Sequence, residues 1–124
     1  MNSDYKGRKK WIGLSYALNG LKEAVREERN LKIHLIISFF VIVCSAWFQI
    51  TAIEWIVLIL IMALVISLEM INSSIERVMD FLAPEFHSSI GIIKDIAAGA
   101  VLIAAGSSIV IGLIIFLPKV MVLL

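Results

Sequence analysis

A chain of 124 residues that is 60% hydrophobic, with a mean hydropathy of +0.98, has too small an interior to hide its apolar side chains from water. A soluble globular domain is excluded and a membrane protein is expected. The net charge of +1 offers no basic excess for nucleic acid, and the single cysteine, Cys44, provides no disulfide framework.

Residues from about 8 to 30 read as an amphipathic helix. Trp11, Leu14, Leu18, Leu21 and Val25 recur at three- and four-residue spacing, with Lys, Arg and Glu on the other face. A basic helix of this kind lies on an anionic membrane surface. Glu28 follows Val25 at the same spacing. It is either a fraying helix end or a carboxylate turned toward the membrane spans. The basic, weakly apolar N-terminus does not read as a cleaved signal peptide.

Three stretches without Asp, Glu, Lys or Arg follow: Ile33–Ile53, Trp55–Leu68 and Ile96–Pro118. The first and third reach the roughly 20 residues that a span requires. The second covers only about 21 Å at 1.5 Å per residue, against a hydrocarbon core of about 30 Å. With Trp55 at the outer interface, Glu69 therefore falls below the inner surface. Asn72 comes near the boundary, and Glu76 and Asp80 lie at or beyond it. This helix is expected to run to about Leu82, where Ala83–Pro84 ends it. The expected architecture is an all-α membrane protein, one domain over residues 1–124. It comprises an N-terminal amphipathic surface helix and three transmembrane helices, at about 33–53, 55–72 and 96–118. Eight of the eleven basic residues precede the first span. The N-terminus and second loop are thus expected in the cytoplasm, and the first loop, Gln49–Glu54, and the C-terminus outside.

Glu69, Asn72, Glu76 and Asp80 fall within a helical stripe roughly 80° wide. Ionisable groups in a membrane segment are costly and mark a functional site by default. The second loop, Pro84–Gly91, carries Glu85, Phe86 and His87, and Lys94 and Asp95 open the third span. That span repeats Gly91, Ala98, Ala105 and Gly112 every seven residues, with Gly99 and Gly106 beside them. Small residues at this spacing let helices approach closely in lipid, so this face, leading up to Asp95, is expected to be the packed one.

Neither a Walker loop nor a GxGxxG turn occurs. The polar cluster nonetheless holds the parts of a phosphoryl-transfer site. Magnesium takes one or two carboxylates and completes its shell with water and phosphate oxygens, and Glu28 and Glu76 have the depth for that role. Lys94 can neutralise phosphate charge. Glu69, partly desolvated, can serve as base toward an acceptor hydroxyl. Structural readings stand beside these. Asp80 can simply pair with Arg77 or Lys94, His87 can be a surface residue or ligand contact, and His34 an interfacial or functional one, while Glu54 is expected to face water. Two non-kinase readings are a membrane assembly factor and an ion pathway. The second would place polar groups through the whole bilayer, whereas the outer halves of these spans are almost purely apolar.

The run Glu69-Met-Ile-Asn-Ser-Ser-Ile-Glu-Arg-Val-Met-Asp80, with Glu85-Phe-His87 and Lys94-Asp-Ile-Ala-Ala-Gly-Ala100, closely resembles the prokaryotic diacylglycerol kinase family. The resemblance extends over nearly the whole chain, including Asn19-Gly-Leu21 and Glu28. It implies a homotrimer whose active sites are shared between neighbours at the cytoplasmic face of a bacterial cell membrane, using ATP, Mg2+ and a lipid alcohol. By position it implies that Glu69 is the general base, and that Glu28 and Glu76 are the metal ligands on the ATP phosphates. Asn72, Lys94 and Asp95 become phosphate-side contacts. Tyr16, Glu85, Phe86 and His87 become nucleotide contacts, and Ala98 and Gly112 part of the lipid groove. Proteobacterial members usually carry Glu where this chain has His34, and Ser where it has Ala17. The pattern resembles the Gram-positive branch, whose members act mainly on undecaprenol. The implied reaction is ATP + undecaprenol → ADP + undecaprenyl phosphate, with diacylglycerol as the alternative acceptor.

Overall fold

The structure, a computed structural model, describes residues 9–82 and 88–124, with burial and side-chain contacts from residue 13 onward. Glu85, Phe86 and His87 therefore lie outside the described residues. The described chain is helical: α1 is Lys9–Glu27, α2 Arg29–Phe48, α3 Ala52–Leu82 and α4 Ser88–Leu123. The last three are long and apolar enough to cross a membrane. The result is a multi-pass, all-α fold behind a surface helix.

The joints follow from local chemistry. Glu28 separates α1 from α2 in an extended conformation, φ −97° and ψ 110°. It stands at the N-cap of α2, yet its side chain makes no capping bond. The carboxylate is thereby free to reach another helix. The α2–α3 turn falls at Gln49, within the stretch expected as the first span. Gln49 adopts a left-handed conformation, φ 52° and ψ 54°, and the N–H groups of Gln49 and Ile50 donate back to the carbonyls of Ala46 and Ser45. A reciprocal capping box then starts α3. Thr51 N–H donates to Glu54 Oε1 at 3.0 Å and Glu54 N–H to Thr51 Oγ1 at 3.2 Å.

The most extensive packing joins α3 to α4. On α3 the contact face runs Glu54, Leu58, Ile61, Val65, Glu69, Asn72, Glu76, Asp80, in steps of three and four residues. Leu58, Ile61 and Val65 are buried along it. The polar stripe thus continues the apolar packing stripe toward the C-terminal end of α3. On α4 the face toward α3 carries Lys94, Ala104, Ile111, Ile115 and Lys119. Salt bridges close the pair at both ends, Lys94–Asp80 at 2.6 Å and Lys119–Glu54 at 2.8 Å. Glu54, expected to face water, is half-buried because Lys119 reaches it from α4. Between these clamps Ile50, Leu58 and Ile115 form a core backed by Val41, Phe48 and Phe116.

The small-residue face of α4 departs from expectation. A Cβ at Gly91, Gly99, Gly106 or Gly112 would meet nothing within 4 Å, and Ala98 and Asp95 are exposed. The branched side chains of Ile111 and Ile115 fill the groove against α3 instead. The glycines stay half-buried beside that groove with open space next to them, and Gly112 borders a cavity between α2, α3 and α4.

Candidate active site

Burial grades along the α3 stripe. Glu69 and Asn72 are buried, Glu76 is half-buried and Asp80 is exposed. The order matches the depth counted from the charge-free run. Each side chain has a different partner. His34, in the second turn of α2, brings Nε2 to 3.8 Å from Glu69 Oε2. Asn72 Nδ2 donates to Glu76 Oε1 at 3.5 Å, and Asn72 Oδ1 is buried without a partner among the described residues. Lys94 Nζ donates to Asp80 Oδ1, so Asp80 pairs with Lys94 rather than with Arg77. Lys94 lies outside the apolar spans. The hydrogen bond to Asp80, chiefly, holds its ammonium above the ordinary lysine range, with added attraction from Asp80 and Glu76.

Glu28 resolves between its two readings: its carboxylate is turned toward α3, where Arg77 Nη2 donates to Oε1 at 3.3 Å. Arg77 also approaches Glu23 at 3.9 Å. These groups line a cavity of about 250 Å³ between α1 and α3, together with Gly20, Ser73 and Ser74. A second cavity, of about 240 Å³, opens on the membrane side of Glu69. Its wall is almost wholly apolar, and it runs past His34, Val41, Leu58, Val65 and Gly112. The apolar part of the α3 stripe thus lines one cavity, and the adjoining face of α3, at Met70, Ser73, Ser74 and Arg77, lines the other.

Of the sequence-predicted residues, Asn72 meets Glu76, while Glu28, Lys94 and Glu69 pair separately with Arg77, Asp80 and His34. Gly112 lines the apolar cavity. Tyr16, Ala98 and Asp95 are exposed on α1 and α4. The sequence singled out neither Arg77 as the partner of Glu28 nor His34 as the partner of Glu69. Both pairings join different helices, so no spacing along the chain announces them. The one available signal was energetic: a carboxylate inside the membrane needs a partner.

Among the described residues no three His, Cys, Asp or Glu side chains are grouped to hold a metal. A cation that draws most of its shell from water and phosphate needs only one or two carboxylates. Glu76, with the Oδ1 of Asn72 next to it, offers such an open set of hard oxygens, and Glu28 is a carboxylate held by Arg77, the residue that follows Glu76 on α3. The donor set therefore fits magnesium bound with a nucleotide better than a closed protein cage.

Comparison with known proteins agrees with this geometry. The family model for "Prokaryotic diacylglycerol kinase" matches residues 15–116. The chain is 38% identical over 104 residues to an undecaprenol kinase of Bacillus subtilis (strain 168), covering 84% of this chain and 85% of that protein. It is 40% identical over 90 residues to a diacylglycerol kinase of Helicobacter pylori (strain J99), covering 73% and 70%. With a diacylglycerol kinase of Synechocystis it shares 34% over 114 residues, 91% of this chain and 65% of that protein.

Proposed function

The chain belongs to the prokaryotic diacylglycerol kinase family, and we propose that it is an ATP- and Mg2+-dependent lipid kinase that phosphorylates undecaprenol at the cytoplasmic face of a bacterial cell membrane. The observation that carries this reading is the graded stripe on α3. Beyond Val65, which lines the apolar cavity, a buried carboxylate, Glu69, gives way to a half-buried one, Glu76, and an exposed one, Asp80. One substrate is a membrane lipid and the other a soluble nucleotide, so the reacting groups must meet at such a boundary.

Glu69 orients the lipid hydroxyl and accepts its proton as the alcohol oxygen attacks the γ-phosphorus in line. Glu28 and Glu76 would hold magnesium, with Asn72 Oδ1 adjoining. When bound, the ion neutralises charge developing on the phosphate oxygens. Lys94, kept protonated by its acidic neighbours, exchanges part of its contact with Asp80 for phosphate. Glu28 likewise exchanges Arg77 for the metal. Tyr16, Glu85, Phe86, His87 and Asp95 are the further nucleotide contacts of this reading, and Ala98 and Gly112 its lipid contacts. A homotrimer is supported by the open glycine face of α4 and by the many large apolar side chains exposed on α2 and α4, which a neighbouring subunit or lipid covers.

Undecaprenol is preferred because the Bacillus subtilis relative bears that activity in its name. Diacylglycerol is the second candidate, named in other relatives; both offer a primary hydroxyl near the headgroup level. Purified protein is assayed with ATP and Mg2+ against each lipid, with chelator and magnesium add-back as controls. Transfer to undecaprenol well above diacylglycerol is expected. Equal turnover removes the preference, and no transfer to either removes the kinase reading.

A further inference from the structure

A buried base must be emptied of its proton after each turnover, and Glu69 has no direct route to water. Its side chain is only 4% exposed. Among the described residues the one group of opposite potential charge within ion-pair distance is His34 Nε2, at 3.8 Å. The His34 side chain is 25% exposed and sits near the start of α2, close to the polar residues Arg29, Asn30 and Lys32. It also lines the apolar cavity. It therefore touches three places at once: the base, the lipid cavity and the interface.

We propose that His34 is the proton outlet of Glu69, a positioning residue that acts through the carboxylate rather than on the substrate. The inference rests on the reading of Glu69 as base in lipid phosphorylation. In the step, the lipid O–H bond breaks and its proton passes to a Glu69 oxygen. The alcohol oxygen bonds to the γ-phosphorus, and ADP leaves with the electron pair of the broken P–O bond. The proton then moves from Glu69 to Nε2 of the neutral imidazole, and from the imidazolium to water, which restores both groups. A separation of 3.8 Å is closed by one bridging water or a small side-chain rotation. Imidazole is the side chain suited to this traffic near neutral pH.

Among the described residues, the surroundings of His34 offer no competing route. From α3 it faces Glu69. From α4, across the cavity, it faces Ser108 and Gly112, neither of which titrates. On its own helix the charged residues before it are Arg29 and Lys32, preceded by Glu28, which is engaged by Arg77.

The test is the pH dependence of kcat for wild type, H34Q and H34A on undecaprenol, with nucleotide binding measured on each. H34Q keeps a polar group near Glu69 but cannot carry a proton. Its kcat is expected to fall by about tenfold or more, with nucleotide binding and both KM values nearly unchanged. The fall of kcat toward acid pH in wild type is expected to move in H34Q, where the base Glu69 alone remains to set it. Undiminished kcat in H34Q overturns the proposal. So does a loss of kcat that leaves the acid limb in place, which marks a purely structural role. If H34A fails to bind nucleotide, H34Q alone decides. A wild-type protein that phosphorylates no lipid alcohol overturns the function itself and the outlet with it, whereas active wild type with an indifferent H34Q overturns the outlet alone.

Discussion

Replacing Glu69 with Gln moves activity and stability in opposite directions. The substitution keeps the volume of the side chain and removes its charge and its capacity to take a proton. Glu69 is buried against α4 and α2, with a histidine 3.8 Å away as its ion-pair partner. Were that histidine protonated, the attraction at an effective dielectric of about 20 would be about 4 kcal/mol. Desolvating a carboxylate costs several kcal/mol, and so does desolvating its partner. The pair therefore adds little net stability, and with neutral imidazole the carboxylate stands uncompensated. E69Q is expected to leave the thermal midpoint unchanged or to raise it, by up to about 2 kcal/mol of stability. Loss of the general base is expected to lower kcat by about 10²- to 10⁴-fold, or about 3–5 kcal/mol of barrier. Thermal unfolding in detergent micelles and steady-state transfer to undecaprenol give the two readouts. Transfer within a few-fold of wild type removes Glu69 as base. A fall in stability comparable to a core deletion shows instead that the carboxylate is a structural anchor.

K94M is expected to raise the KM for ATP by about tenfold or more, because a charge-assisted phosphate contact is lost; titration of initial rates against ATP measures it, and an unchanged KM removes Lys94 from the nucleotide side. L31A opens a cavity at a side chain that is 1% exposed. It is expected to cost about 2–3 kcal/mol, the low end for such deletions because lipid rather than water is the apolar reference, read as a lower unfolding midpoint. E54Q breaks the outer clamp with Lys119 without touching the polar stripe, so transfer should persist while the midpoint falls. Lys119 first, and then the Thr51 N–H, hold the Glu54 carboxyl below its ordinary range. A depressed carboxyl stabilises above its unfolded-state value and ceases to do so as pH falls through the folded one. The midpoint gap between wild type and E54Q should therefore close on acidification; a gap that persists in acid shows that the ion pair is not its source.

The stripe on α3 joins fold and function. Leu58, Ile61 and Val65 pack against neighbouring helices through one face. Glu69, Asn72, Glu76 and Asp80 continue that face toward the interface. Rigid apolar packing below thus fixes where the carboxylates stand above. The two clamps, Glu54–Lys119 and Asp80–Lys94, oppose sliding of α4 along α3, which would carry Lys94 away from the stripe. Arg77 on Glu28 plays a comparable part for the surface helix, because it neutralises a carboxylate at the α1–α2 joint.

Periodicity and charge sufficed for the helices and for the order of burial along α3. Each of these is a property of residues near one another in the chain. Helical spacing places Glu69 and Asp80 on one face regardless of what they touch, and the absence of charge over Trp55–Leu68 sets how deep Glu69 must lie. Tertiary structure decided the rest. It selected Lys94 for Asp80, drew Arg77 to Glu28 and Lys119 to Glu54, and set His34 beside Glu69. It also left open space beside the α4 glycines within the chain, where seven-residue spacing alone had suggested close packing. These choices depend on the rotation and register of one helix against another. Branched side chains such as Ile111 and Ile115 set that rotation by filling a groove, and a one-dimensional pattern of apolar and small residues does not specify which groove they fill.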